Sequence, residues 1–337
     1  MLMFDRTKFL ASLEGAQHIL GQAQDLGEKL SARNFKRLHF AGCGAPNRLL
    51  AYIQYWADRK YLNLPIQTSF SAELVHFPPP NLDTNTLVLA ASHSGTTSDT
   101  LEAALFLQAK GCTIVAITQS AESPLAQLAD NTLAYGKTDE GYYSALMVGL
   151  SFFNGLVGGR SGWDLYRPLQ TSLPALPGAL ADVMEKENEK AARLAEKLHD
   201  DRILYLIGAG ASSYVAYVFA ACILMEMQWM HAISLNASEF FHGPFETIDG
   251  DTPVVVMLDE SPNRPEARRV AHFCRKITHR LTVLDSMNYP LEGISMDARP
   301  ILSPFAVDAA LVRFAENLAA VRGHPLTKRR YMGKMEY

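Results

Sequence analysis

The sequence predicts an α/β protein in which one three-layer unit, a mainly parallel sheet with helices on both faces, is built twice. Two observations carry this. The first is an internal repeat: residues 37–45 read RLHFAGCGA and residues 203–211 read ILYLIGAGA, an offset of 166. At that offset Gly42 falls on Gly208 and Gly44 on Gly210. Glu73 and His76 fall on Glu239 and His242, and the apolar run 86–92 falls on 252–258. A gapless offset held over about 55 residues marks a duplicated domain. Positions where the copies differ mark where function has specialised. The second observation is that short, continuous apolar strands alternate with helices, as in parallel sheets covered on both faces.

Taken in order, residues 1–35 read as an amphipathic helix. Strands follow at 37–41, 66–70, 87–92, 113–118 and 132–135, with helices at 46–58, 98–110 and 141–153. The segment 163–179, WDLYRPLQTSLPALPGA, is rich in proline and polar residues and is expected to link the halves. Residues 180–200 form a charged amphipathic helix, read as the partner of the N-terminal helix. The second half has strands at 203–207, 233–236, 253–258 and 281–285, with helices near 213–230, 264–278 and 307–321. The tail 324–337, HPLTKRRYMGKMEY, is basic and aromatic. Disordered tails usually carry fewer aromatics, so this one is expected to dock. Ligands of such sheets bind beyond the carboxyl ends of the strands, where both glycine turns sit.

The 337 residues fit about two domains. Hydrophobic content of 48% and charged content of 20% are those of an ordinary globular protein. A net charge of −4 argues against nucleic acid as the main partner. No apolar run approaches the ~18 residues of a membrane span. The N-terminus carries charges throughout, unlike a signal peptide. Cys43, Cys112, Cys222 and Cys274 are scattered, with no CxxC and no metal-ligand spacing. A reduced cytoplasmic protein without a structural metal is expected.

After the third strand comes Ser92-His93-Ser94-Gly95-Thr96-Thr97-Ser98-Asp99-Thr100, then a helix. Six of these nine residues carry hydroxyls. Hydroxyls beside the N–H groups of a helix N-terminus make a phosphate cradle. Capping alone would need one or two of them. At the repeat offset the loop becomes Leu258-Asp259-Glu260-Ser261-Pro262, which is acidic and would repel phosphate. Only the first copy is therefore expected to bind it. The turns GCGAPN (Gly42, Cys43, Gly44) and GAGASS do not complete GxGxxG, and no acidic residue is placed to hold a ribose. They read as tight turns that leave room for a ligand, and no nucleotide cofactor is expected.

Glu226 lies in ACILMEMQWM, a helix apolar nearly all round, so burial is expected. A buried carboxylate has a raised pKa, which suits a general base; it can also be a structural group bonded to an amide or an arginine. His242 lies in EFFHGPFE, where Gly-Pro forces a turn and presents the ring at the sheet edge. On its own it reads equally as a packed aromatic-turn histidine.

Together these motifs resemble the sugar isomerase (SIS) family over about residues 35–337. The loop 92–100 matches that family's SxSGxTxDT phosphate loop. Glu226 and His242, 16 residues apart, match the catalytic pair of the isomerase domain of glucosamine-6-phosphate synthase. MEMQWMHA, SEFFHGPFE and the C-terminal tail look most like fructosamine-6-phosphate deglycases. The resemblance implies tandem SIS domains, each with a flavodoxin-like sheet. The first spans 36–165 with the phosphate loop, and the second 201–323 with the acid–base pair. The helix 1–35, the linker 166–200 and a tail 324–337 over the active site complete the chain. It implies catalytic Glu226 and His242, with Gly42, Cys43, Gly44, Ser92, His93, Ser94, Thr97, Glu239 and Arg330 toward phosphate and substrate. It implies a homodimer with shared sites and a 6-phosphosugar-amine substrate, without metal or nucleotide. Two departures stand out. Pro46 replaces a phosphate-binding Ser of many relatives, and the synthase's ring-opening Lys has no clear equivalent, Lys334 standing nearer the end. No glutaminase segment is present, so amide transfer is not expected. The rivals are a phosphosugar isomerase or aminosugar-phosphate deaminase, and a non-catalytic phosphosugar-binding regulator. A regulator would need neither Glu226 nor His242.

Overall fold

The structure, a computed structural model, describes residues 1–60 and 62–336. It divides into two compact units, Thr7–Pro177 and Met1–Arg6 with the chain from Gly178 onward.

The N-terminal unit begins with α1 (Arg6–His18) and α2 (Leu20–Ser31). Then follow β1 (Arg37–Gly42), α3 (Gly44–Asp58), β2 (Ile66–Phe70), α4 (Ser71–His76), β3 (Thr86–Ala91) and α5 (Ser98–Ala109). It closes with β4 (Thr113–Thr118), α6 (Pro124–Leu128), β5 (Asn131–Ala134), α7 (Gly141–Val157) and α8 (Tyr166–Ser172). Among the described residues the strands form one five-stranded sheet, all parallel, in the order β2-β1-β3-β4-β5. This is the flavodoxin-like order, whose switch point lies between β1 and β3. Strands β3 and β4 are buried at every position, because helices cover both faces.

One expectation for this unit is corrected. The N-terminal helix is broken at Ile19, with glycines at 15 and 21 weakening it on either side. Within this unit it packs on α7, a neighbour the expectation did not name. A Cβ on Gly27 would strike the Phe152 carbonyl, and one on Gly155 would strike the Gln24 carbonyl. Ser151 Oγ donates to the Leu20 carbonyl at 2.7 Å along the same seam.

The C-terminal unit contains α9 (Leu176–Leu198), β6 (Ile203–Gly208), α10 (Ser212–Val218) and α11 (Glu226–Gln228). It continues with β7 (His231–Asn236), α12 (Ala237–Phe240), β8 (Val254–Leu258), α13 (Arg264–Ile277), β9 (Leu281–Asp285) and α14 (Arg299–Val321). Its parallel sheet has four described strands in the order β7-β6-β8-β9, the first four places of the other sheet repeated. Residues 1–6 join this unit, where Arg6 pairs with Asp182 at 2.7 Å and Glu185 at 2.9 Å on α9.

Two further expectations change. The segment read as a linker is helical: α8, a 3-10 turn at Leu173–Ala175 and the start of α9. Its prolines, Pro168, Pro174 and Pro177, sit in first turns, where a missing N–H breaks no helical bond. Likewise α14 starts at Arg299, eight residues before the expected 307, and carries Pro300 in its first turn and Pro304 inside. No helix among the described residues is long and apolar enough to cross a membrane.

Candidate active site

In the N-terminal unit Gly42 and Ala91 are register partners at the ends of β1 and β3, so the two turns beyond them start side by side. Gly44 has φ +57 and opens α3. A Cβ on Gly42 would lie 3.0 Å from the Ala91 carbonyl, so a side chain there would be tightly crowded. Cys43 lies with its Sγ 3.8 Å from Thr100 Oγ1 and 4.0 Å from Asp99 Oδ2, at the N-terminus of α5.

The loop after β3 is cross-tied by its own hydroxyls. Ser92 Oγ lies 2.9 Å from Thr97 Oγ1 and accepts from the Gly95 N–H at 3.1 Å. Ser94 Oγ accepts from the Thr96 N–H at 3.2 Å and from Thr96 Oγ1 at 3.0 Å. Gly95, at φ +67, is forced: a Cβ would collide with Ser123 and with Thr118. The loop ends on the first turn of α5, whose N–H groups and dipole favour an anion. His93 turns elsewhere. Its Nδ1 lies 2.8 Å from the Tyr135 hydroxyl, and the two rings stack at 5.9 Å. Burial pushes its pKa below the ordinary value.

The counterpart loop of the C-terminal unit is built around its own acid. Asp259 is 1% exposed, and its carboxylate accepts from Ser212 Oγ, from the Ser261 N–H at 2.9 Å and from Ser261 Oγ at 2.7 Å. Burial pushes this carboxyl up. Asp259 is the repeat mate of His93, and Ser212 of Pro46. The second cradle thus holds an anion of its own.

Glu226 opens α11, directly after a π-helical segment at Phe219–Met225. Such wide turns concentrate at functional sites. The Glu226 side chain is 25% exposed, so it is half-buried rather than enclosed as the sequence predicts. Oε1 lies 2.9 Å from Nη2 of Arg329, which comes from the C-terminal tail. Burial raises the Glu226 pKa, and the guanidinium pulls it part of the way back. Both residues line a cavity of about 520 Å³ with Met225, Trp229, Met230, His231, Arg330, Tyr331 and Met332.

The tail docks on Trp229, a residue in the left-handed region at φ 54. For a bulky side chain that backbone is strained and needs support from its surroundings. His324 packs edge-on at 4.4 Å, and the cations of Lys328 and Arg330 sit 5.0 and 4.2 Å from the indole centroid. Gln228 Nε2 donates to the His324 carbonyl at 2.7 Å, and Arg322 donates to the Gln228 carbonyl at 2.9 Å. Lys334 donates to the Arg329 carbonyl at 2.6 Å and closes the turn that carries Arg329. Tyr337 lies outside the described residues.

His242 follows α12, beyond the carboxyl end of edge strand β7. Its N–H donates to the Glu239 carbonyl at 3.0 Å, and Gly243 at φ +127 makes the turn. Glu239 and His242 are both exposed, and neither lines the cavity at Glu226.

The model of the SIS domain matches residues 33–154 and 197–288. The chain belongs to the SIS family. The SIS chain is 32% identical to the fructosamine deglycase FrlB of Bacillus subtilis (strain 168), over 94% of this chain and 97% of that protein. It is 25% identical to the fructoselysine 6-phosphate deglycase of Escherichia coli (strain K12), over 91% and 88%. A Bacillus subtilis crystal structure described as a phosphosugar isomerase superposes with a TM-score of 0.86 at 30% identity, over 94% of this chain and 100% of that one. The C-terminal domain of glucosamine-fructose-6-phosphate aminotransferase from Francisella tularensis shares the fold, with a TM-score of 0.76 at 15% identity over 95% and 96%.

Within this SIS chain the structure brings together Glu226, Trp229, Arg329 and Arg330, and separately Gly42, Cys43, Ser92, Ser94, Gly95 and Thr97. Sequence reading named Arg330 but not Arg329 or Trp229 for the site. Their signal was the pairing of one tryptophan, three residues after the base, with the cationic run at 328–330.

Proposed function

We propose that this SIS enzyme is a deglycase. It cleaves a 6-phosphorylated Amadori product, a 6-phosphofructose-amino acid, to a hexose 6-phosphate and the free amino acid. The observation that carries this is Glu226: a half-buried carboxylate with a raised pKa in a cavity lined in part by the chain's own tail. Full-length similarity to deglycases supports it.

The chemistry is an internal proton shift followed by hydrolysis and needs no external oxidant or reductant. Ring opening, assisted by His242, exposes the C2 carbonyl. Glu226 removes a proton from C1 to give the enaminol, and a proton returned at C2 gives an imine between C1 and nitrogen. Water adds at C1, and the C–N bond breaks to release the amine and leave the C1 aldehyde. A base suits this work when its pKa lies near the working pH. Ser92, Ser94, Thr97 and the α5 N-terminus would hold the 6-phosphate, with the Gly42-Cys43-Gly44 turn beside them. The docked tail would shield the imine from bulk water until hydrolysis.

We place His242 in a homodimer, contributed to the partner copy's site. Its exposure, and its absence from the lining of its own chain's Glu226 cavity, support this. Four free cysteines support a cytoplasmic setting. The test is a panel of 6-phosphofructose- and 6-phosphoglucose-amino acids assayed for released hexose 6-phosphate. Turnover of fructose 6-phosphate with failure on every adduct would instead make the enzyme an isomerase.

A further inference from the structure

The cavity at Glu226 holds more positive charge than its one carboxylate accounts for. Arg329 is paired with Glu226 at 2.9 Å. Arg330 and Lys328 lie over the Trp229 ring, and among the described residues no carboxylate forms an ion pair with either. Two guanidiniums, Arg329 and Arg330, thus line the cavity against one carboxylate, and an anionic ligand group fits there.

The pairing itself is a problem for catalysis. A base that must pull a proton from carbon is weakened by a guanidinium against its oxygen, and Arg329 cannot lose its own proton. A competing anion replaces what the guanidinium loses when the pair opens. An amino acid leaving group brings one: a carboxylate beside the reacting nitrogen, planar and matched to the two-pronged guanidinium. A simple amine brings none.

Resting on the deglycase reading, we infer that Arg329 reads the leaving group's carboxylate: it holds Glu226 in an ion pair in the free chain and exchanges it for the substrate carboxylate, which frees Glu226 to act as the base. Glu226 keeps its burial through the exchange and loses only the opposing cation, so its proton affinity rises. Selection of amino acid adducts then falls on kcat rather than on KM alone. Arg330, fixed on Trp229 and lining the same cavity, is the second donor within reach.

The experiment compares 6-phosphofructosyl-glycine with its neutral near-isostere 6-phosphofructosyl-glycinamide, and each with its unphosphorylated form. The enzymes are the wild type, Arg329→Gln and Arg329→Lys, with folding checked by thermal melts. Wild type should turn over the glycine adduct with a kcat roughly 10-fold or more above that for the glycinamide. In Arg329→Gln the gap should close to within about 3-fold, and Arg329→Lys should keep part of it, since lysine offers charge without the fork. Equal kcat for the two adducts in the wild type overturns the inference and leaves the deglycase reading standing. So does a gap that survives in Arg329→Gln. If Arg329→Gln abolishes the preference for phosphorylated over unphosphorylated substrate but not the glycine–glycinamide gap, Arg329 reads phosphate and the inference also fails. Failure of the wild type on both adducts, with turnover of fructose 6-phosphate, removes the deglycase reading itself.

Discussion

Nη2 of Arg329 lies 2.9 Å from Oε1 of Glu226, so an ion pair joins the candidate base to the C-terminal tail. A carboxylate at the end of a π-helical segment and a cation 103 residues later in sequence thus meet in the lining of one cavity.

Replacing Glu226 with Gln keeps the shape and removes the base. Activity should fall by about 100-fold or more, with the melting temperature little changed. His242→Asn should be equally severe. If His242 acts across a dimer, mixing the two inactive variants should restore part of the activity, because some heterodimers recover one intact site. A monomer by sedimentation, or no recovery after verified subunit exchange, would refute the shared site.

The pH profile tests the electrostatics. Glu226 must be ionised to accept a proton, and burial raises its pKa above the ordinary 4.5 while Arg329 opposes the rise. The rate should therefore decline as pH falls through a value above the ordinary 4.5. Arg329→Gln removes the opposing charge, so the acid limb should move to higher pH. A limb that stays in place would show that Arg329 does not tune the base.

The phosphate loop gives two measurements. Removing the 6-phosphate from the substrate loses several charge-assisted bonds and should cost on the order of 3 kcal/mol in kcat/KM. Gly95→Ala places a Cβ against Ser123 and Thr118 at a positive φ, with strain of about 1–3 kcal/mol. The variant should discriminate poorly between phosphorylated and unphosphorylated substrate.

In the second cradle, Asp259→Ala strands Ser212 and Ser261 without their acceptor and should lower stability by about 1–3 kcal/mol in denaturant titration. Asp259→Asn retains an acceptor for Ser261 and can donate to Ser212, so it should cost less. Equal losses would mean that the negative charge, not the hydrogen bonds, is what the loop requires.

Deleting residues 328–337 should leave the melting transition within a few degrees, because the sheet and α14 are untouched, while turnover drops sharply. Trp229→Leu removes the surface on which Lys328 and Arg330 stack and should reproduce part of that loss. Full activity in the folded truncation would exclude the tail from the site.

Both sheets were legible in the sequence because buried parallel strands are short, apolar and punctuated by glycine, and because the repeat supplied a second reading of each. The helices following prolines were not legible. Pro168, Pro177, Pro300 and Pro304 resemble breakers in a linear sequence, and only the structure shows that most of them sit in first turns. The surroundings of Glu226 were legible in kind but not in degree. An apolar helix suggested enclosure, but the π segment widens the backbone before Glu226 and shifts which face it presents. Arg329 could not be told from its cationic neighbours, since composition does not reveal which of three adjacent side chains points inward.

The carboxylate of Asp259 is in effect a tethered ligand, present at a fixed local concentration that no metabolite pool can change. The order of its loop is settled when the chain folds. The Ser92 loop, if it takes a free phosphate ester, gains stability only as the logarithm of that ester's concentration. Two copies of one ancestral unit therefore answer to different variables: one to the sequence alone, the other to the supply of substrate.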